Sequence, residues 1–278
     1  MNRTIRWFLV FSLLFLARTS LAATVVIDIR DFQFTPSLTT IDQGDTIKWV
    51  NKGSYRHTST SKSTSLWDTS PNGLASGESF TYTFNQVGSY DYHCRFHPSM
   101  QGTITVRTPE ESRIRTGKRI ISSGIVPITL EHVTSVNQDQ VFLGSYIVNA
   151  QAGCANCHSC PTYETNHNPY QGNPKKFKAS SYLSGGVTVS GVGGMVMISP
   201  NLTPDANGDP AGFRTFDQFK NFIRTGHDRE APHSILHIMP WPMYGMMGDY
   251  DLRAVYEYLR SIPHLETPAR HQCNGQGS

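Results

Sequence analysis

The chain has 278 residues, room for two ordinary domains, and a formal charge of +3. That excess comes from Arg3, Arg6 and Arg18 near the start; past residue 22 basic and acidic residues balance at 21 each. A neutral chain without a polybasic run argues against nucleic-acid binding and against a charged membrane patch.

The first segment reads MNRTIRWFLVFSLLFLARTSLAA. Arg3 and Arg6 give a basic start, residues 7–17 an apolar run, and Ser20 and Ala22 the small residues that a signal peptidase needs. The run is too short to cross a bilayer. Residues 1–22 are therefore expected to be a cleaved export signal and the mature protein to be periplasmic, with no membrane span after signal removal.

Residues 23–107 alternate. TVVIDIRDFQF, DTIKWVN, ESFTYTFN and GTITV place apolar or aromatic side chains at every second position, with Gly, Pro, Asn, Asp and Ser between the runs. The pattern predicts short antiparallel strands with one wet and one dry face, packed as a small β-sandwich. Near the end of this domain, CRFHPSM sets Cys94, His97 and Met100 at intervals of three. A fourth donor, His57, follows TIKWVN. Two imidazoles, a thiolate and a weak thioether are the donor set of a blue-copper electron-transfer site.

On these residues the domain resembles the cupredoxins, in particular the amicyanin and pseudoazurin type with its short Cys-x2-His-x2-Met loop. The resemblance runs through GSYDYHCRFHPSMQGTITV and the earlier TIKWVN with its histidine. It implies a Greek-key sandwich and one type 1 copper per chain, held by His57, Cys94, His97 and Met100. It also implies that Asn51 ties the two ligand loops together. Phe96 stands where amicyanins commonly have proline.

Residues 108–138 read as a linker, yet IISSGIVPITL is too apolar for a plain tether, and part of it is expected to pack on a domain. From residue 139 to 278 the period changes to that of helices. QVFLGSYIVNAQAG predicts one helix. TFDQFKNFIRTG predicts a second, with a Thr215/Gln218 capping box and an apolar face of Phe216, Phe219 and Ile223. DYDLRAVYEYLRSIP predicts a third, with Leu252, Tyr256 and Leu259 on one stripe and a stop at Pro263.

Within this domain CANCH, residues 154–158, matches the attachment signature of c-type haem: Cys154 and Cys157 bond the porphyrin and His158 reaches the iron. CANCHSCP also suggests an iron–sulfur run, but the position for a fourth cysteine is Glu164. A zinc ribbon would need a second CxxC. A redox CxxC would need a βαβ context. The sixth iron ligand has several candidates in HSILHIMPWPMYGMM: Met239, Met243, Met246, Met247, His233 and His237.

GSYIVNAQAGCANCH, ISPNLTPD, FRTFDQFKNFIRTG, IMPWPMYG and DLRAVYEYLRSIP, in that order, resemble the class I cytochromes c. They are most similar to the cytochrome c subunits of periplasmic alcohol and gluconate dehydrogenases. The resemblance implies an all-α domain with one haem c, and Met239, in its Met-Pro motif, as the sixth ligand. The other methionines then pack around the haem. It also implies that the first and last helices cross where Gly144 allows close approach. Cys160 and Cys273 remain for a disulfide that spacing does not decide.

The expected whole is an all-β cupredoxin followed by a cytochrome c domain. Its expected task is to carry single electrons between a dehydrogenase or respiratory complex and a terminal oxidase or reductase, with no catalytic residues of its own. The alternative is a redox enzyme or its subunit, such as a nitrite reductase. That would need a second, open copper site, for which no spare histidine cluster is visible.

Overall fold

The structure, a computed structural model, describes residues 22–63, 66–190, 196–227 and 234–268. The expected signal, apart from Ala22, lies outside them, as do His233 and Cys273. The chain divides between Thr108 and Pro109 into two compact units.

The described residues of the first unit form eight strands: β1 (Thr24–Arg30), β2 (Gln33–Thr35), β3 (Leu38–Asp42), β4 (Thr46–Asn51), β5 (Thr60–Ser61), β6 (Ser79–Thr83), β7 (Gly88–His93) and β8 (Gln101–Arg107). They form two four-stranded sheets, ordered β2-β1-β4-β6 and β3-β8-β7-β5. Alternation sends Ile27 and Ile29 of β1, Ile47 and Trp49 of β4, and Ile104 and Val106 of β8 into one core. Aromatic rings join the two sheets there: Tyr92 of β7 lies 4.5 Å from Phe34 and 5.6 Å from Trp49 between ring centroids.

The sandwich matches the expectation, but its strands are not all antiparallel. β1 pairs with β4 in parallel, and so does β3 with β8. Alternation fixes which face of a strand is dry and says nothing of direction. Direction follows from the chain crossing between sheets after β2 and returning, which places non-consecutive strands side by side.

The second unit begins with a helix inside the segment expected to link the domains. α1 (Pro109–Ser122) carries acids in its first turn and a base in its last, as the helix dipole favours. It packs on α2 (Gln138–Tyr146): Ser145 Oγ donates to Gly117 O at 3.1 Å. α2 runs into a π-helical turn, Ile147–Gln151, and then into the short α3 (Cys154–His158). A hairpin of β9 (Thr188–Ser190) and β10 (Val196–Ile198) follows. It departs from the all-helical expectation, being too short for alternation to announce it.

α4 (Phe216–Thr225) starts with the expected capping box, and Phe216, Phe219 and Ile223 are buried. After the single-turn α5 (Trp241–Tyr244) comes α6 (Asp249–Ser261), whose Leu252, Tyr256 and Leu259 are buried. Two further ties hold this unit together. Arg113 of α1 pairs with Asp251 at 3.0 Å. A buried trio joins the π turn to α6: Tyr182 Oη donates to Asn149 Oδ1 at 2.6 Å and lies 2.8 Å from Tyr258 Oη.

α2 and α6 touch at Gly144. A Cβ there would lie 2.0 Å from Ala254 O and 2.5 Å from Tyr258 Cβ, so only glycine lets the two backbones meet. Gly144→Ala is expected to destabilise the second unit by about 1–3 kcal/mol through overpacking. Chemical denaturation followed by the far-UV helical signal measures the loss; an unchanged midpoint would show that the contact is not needed.

Candidate functional site

β4 ends at Asn51, and His57 follows where the chain meets a neighbouring segment at Leu74. His57 N–H donates to Leu74 O at 3.2 Å, and Leu74 N–H to His57 O at 2.7 Å. Cys94 comes directly after β7. Residues 94–100 close on themselves: Cys94 N–H donates to Met100 O at 3.0 Å, and Met100 N–H to His97 O at 2.9 Å. Two backbone-fixed segments therefore meet end to end.

Their meeting gathers three of the four predicted donors. Cys94 Sγ lies 3.7 Å from His57 Nδ1 and 3.6 Å from His97 Nδ1, and the two nitrogens are 3.1 Å apart. The point equidistant from all three is about 2 Å from each, the length of a metal–imidazole bond. Met100, the fourth, ends the same loop and is 1 % exposed. One soft sulfur and two imidazoles in a dry site fit copper better than the harder divalent ions.

Burial lowers the pKa of His57, the neighbouring His97 lowers it further, and Asp31 opposes both. The balance favours the neutral ring that a metal needs. The Asp31 carboxyl is itself held below the usual range: desolvation works against this, but the Tyr55 and Ser54 N–H groups and His57 outweigh it.

The two segments are joined by a residue the sequence reading missed. Thr58 N–H donates to Cys94 Sγ at 3.3 Å, and Thr58 Oγ1 accepts from Arg95 N–H at 2.8 Å. A hydroxyl residue directly after the histidine was the available signal. Asn51 has a different task from the one implied. Its Nδ2 donates to Tyr55 O and to Leu74 O, both at 2.8 Å, and its Oδ1 accepts from Gly53 N–H at 2.9 Å. It fixes the His57 segment against the Leu74 segment and does not reach the cysteine loop.

His57 and Cys94 are fully buried, whereas His97 is half-buried. The Phe32 ring stands edge-on to His97 at 4.9 Å and lies 5.7 Å from Tyr55. Phe96, the departure from proline, turns its ring onto Gly73: a Cβ at that residue would lie 2.7 Å from Phe96 Cε2 and 2.8 Å from His57 O.

In the second unit a cavity of about 480 Å³ gathers Cys154, Cys157, His158 and Met239. Its wall is mainly apolar, with Val148, Phe219 and Leu259 among the lining side chains. The size and character suit a bulky, flat, apolar group. His158 presents one ring nitrogen to such a group. Its Nδ1 lies 2.9 Å from Pro200 O, and a carbonyl only accepts, so Nδ1 carries the proton and Nε2 is left as the free donor. Burial holds the His158 pKa below its usual value, again favouring the neutral ring.

Met239 is brought to the cavity by a tight turn in which Trp241 N–H donates to Met239 O at 2.7 Å. Tyr244 Oη then donates to Ala152 O at 3.2 Å, tying this segment to the approach of α3. Of the other candidates, Met247 also lines the cavity. Met243 and Met246 do not: they are 70 % and 76 % exposed, so they are surface residues and do not pack around the cavity. His237 is exposed and outside the lining. Cys160 is disulfide-bonded, and Cys273 lies outside the described residues.

Residues 4–106 match the family model described as a cupredoxin-like domain. Amicyanin of Paracoccus denitrificans is 32 % identical over 85 residues, 30 % of this chain and 64 % of that protein. The chain thus spans somewhat less than two thirds of that relative's length. Plastocyanin of Scenedesmus fuscus is 34 % identical over 88 residues, 27 % of this chain and 86 % of that protein. Among solved structures, the reduced state of an amicyanin mutant aligns at 28 % identity over 30 % of this chain and 82 % of that one, with a TM-score of 0.28.

Asn51→Ala removes three hydrogen bonds, two of them buried, and leaves the buried Gly53 N–H without its acceptor, while Leu74 O keeps the His57 N–H. The substitution is expected to cost about 2–4 kcal/mol of first-unit stability. Denaturant unfolding followed by Trp49 and Trp67 fluorescence checks this; a loss below about 1 kcal/mol would mean that water replaces the amide.

Proposed function

We propose an electron-transfer role for this chain, which belongs to the cupredoxin-like family through its first unit. In this reading the first unit holds one copper at His57, Cys94, His97 and Met100. The second would hold one haem c, attached through Cys154 and Cys157, with His158 and Met239 as the side chains offered to its iron. The chain passes single electrons between the two centres and between partner redox proteins, in the periplasm. The observation that carries the reading is the convergence of His57, Cys94 and His97 with their donor atoms within 4.8 Å of one another.

Bound copper and haem would each supply a one-electron couple. The chain's own residues supply the rest. His57 and Cys94 are fixed by backbone hydrogen bonds on both sides, so the donor set has little room to rearrange when its charge changes. The Thr58 N–H spreads the negative charge of the thiolate. Burial of His57, Cys94 and Met100 excludes water, and half-buried His97 leaves one route to the surface. In the second unit the Pro200 carbonyl fixes the His158 ring and its tautomer. Met239, as a thioether on the same cavity, would favour a raised potential. No described helix is long and apolar enough to cross a membrane. Placing both centres on one chain makes their exchange independent of protein concentration.

The mature protein is expected to contain one copper and one iron per chain. Its spectrum should show an intense thiolate-to-copper band that bleaches on reduction, beside sharp reduced c-haem bands. Cys94→Ser is expected to remove the first and leave the second. A chain with neither copper nor the band would overturn the first half of the reading, and one without covalent haem the second. Met239→Ala is expected to lower the haem potential without detaching the haem; an unchanged potential would assign the sixth position to another residue.

A further inference from the structure

One buried nitrogen beside the three donors has no hydrogen-bond partner. His57 turns Nδ1 toward Cys94 and His97, so its proton belongs on Nε2. That nitrogen is buried and has no hydrogen-bond partner. Among the described residues, one charged group lies within ion-pair reach of it: Asp31 Oδ1, at 3.7 Å.

Asp31 is held there from outside the metal site. It sits between β1 and β2, and its Oδ1 accepts from Ser54 N–H at 2.8 Å and Tyr55 N–H at 3.3 Å. Gly53 makes room for it, since a Cβ at that position would lie 2.2 Å from Oδ1. The next residue, Phe32, has φ +67° and brings its ring edge-on to His97. The same short turn thus presents a carboxylate to one histidine and an aromatic ring to the other. A separation of 3.7 Å is too long for a hydrogen bond, so the interaction is one of charge. A fixed negative charge behind a ligand ring orients it and raises its basicity. It also favours whichever state of the centre carries more positive charge.

We propose that Asp31 is a positioning residue for the metal centre: its carboxylate orients the His57 ring and biases bound copper toward its oxidised state. This rests on the reading of the site as a copper centre. Asp31→Asn keeps an acceptor oxygen for the Ser54 and Tyr55 N–H groups and removes only the charge. In the full copper-loaded protein, the Cu(II)/Cu(I) ratio at a fixed solution poise is expected to fall roughly tenfold in this variant. The thiolate band should stay in place, and Asp31→Glu should lie nearer the parent. An unchanged ratio with an intact band would overturn the proposal, because a merely structural Asp31 predicts that result.

A second measurement does not depend on copper. Proton–nitrogen correlation spectra of the metal-free full chain are expected to show His57 as the Nε2–H tautomer in the parent and as a mixture in Asp31→Asn. Identical tautomers in both would also overturn it. A parent chain that takes up no cupric ion would sink the copper reading alone, and the metal-free spectra would still decide the role of Asp31.

Discussion

Two imidazole nitrogens 3.1 Å apart beside a thiol sulfur, in a dry place, set the constraint on which the first unit depends. Polar groups so crowded would turn toward water if the chain let them. The backbone prevents it. His57 is clamped to Leu74 by a pair of main-chain hydrogen bonds, residues 94–100 are closed by two more, and Thr58 bridges the segments. The sandwich beneath supplies the stiffness, because Trp49, Tyr92 and Phe34 fill the space between the sheets directly under both ligand segments' strands. The three donors are therefore held together by main-chain hydrogen bonds and by the packing beneath them.

The second unit solves a different problem. It must keep an apolar cavity open between elements that would otherwise collapse onto it. Gly144 brings α2 against α6, and Arg113 and Ser145 tie α1 to the same pair. The π turn then redirects the chain into α3, so that Cys154, Cys157 and His158 face the cavity from one side. A widened turn next to a functional segment is a common use of this geometry. The irregular stretch after α3 also contributes, since Pro200 within it sets the free nitrogen of His158.

Much of this was legible in the residues. Period-two runs announced β1, β4, β6 and β8 with their dry faces; the second and third helical patterns appear as α4 and α6 with the expected stripes buried, and the first is divided between α2 and the π turn. The capping box at Thr215 and Gln218 was readable because it depends only on neighbours. The donor spacing in residues 94–100 was readable because the loop between β7 and β8 is short. Other features were not legible. α1 hid in a polar segment whose helix is stabilised by packing on α2 and by its end charges. β5 was too short to stand out, β3 turns a threonine, Thr39, to its dry face and exposes Leu38, and strand direction is not written in alternation at all.

The sequence by itself determined the kinds of donor, their order, and the two classes of architecture that present them. These follow from residue chemistry and local periodicity. Tertiary structure alone decided what lies next to each donor. It placed Thr58 on the sulfur, moved Asn51 to the Leu74 segment, set Asp31 behind His57, and chose Met239 and Met247 over Met243 and Met246 for the cavity. These are contacts between groups tens of residues apart. They are fixed by how crossed strands and close-packed helices fill space, and no local pattern along the chain encodes that.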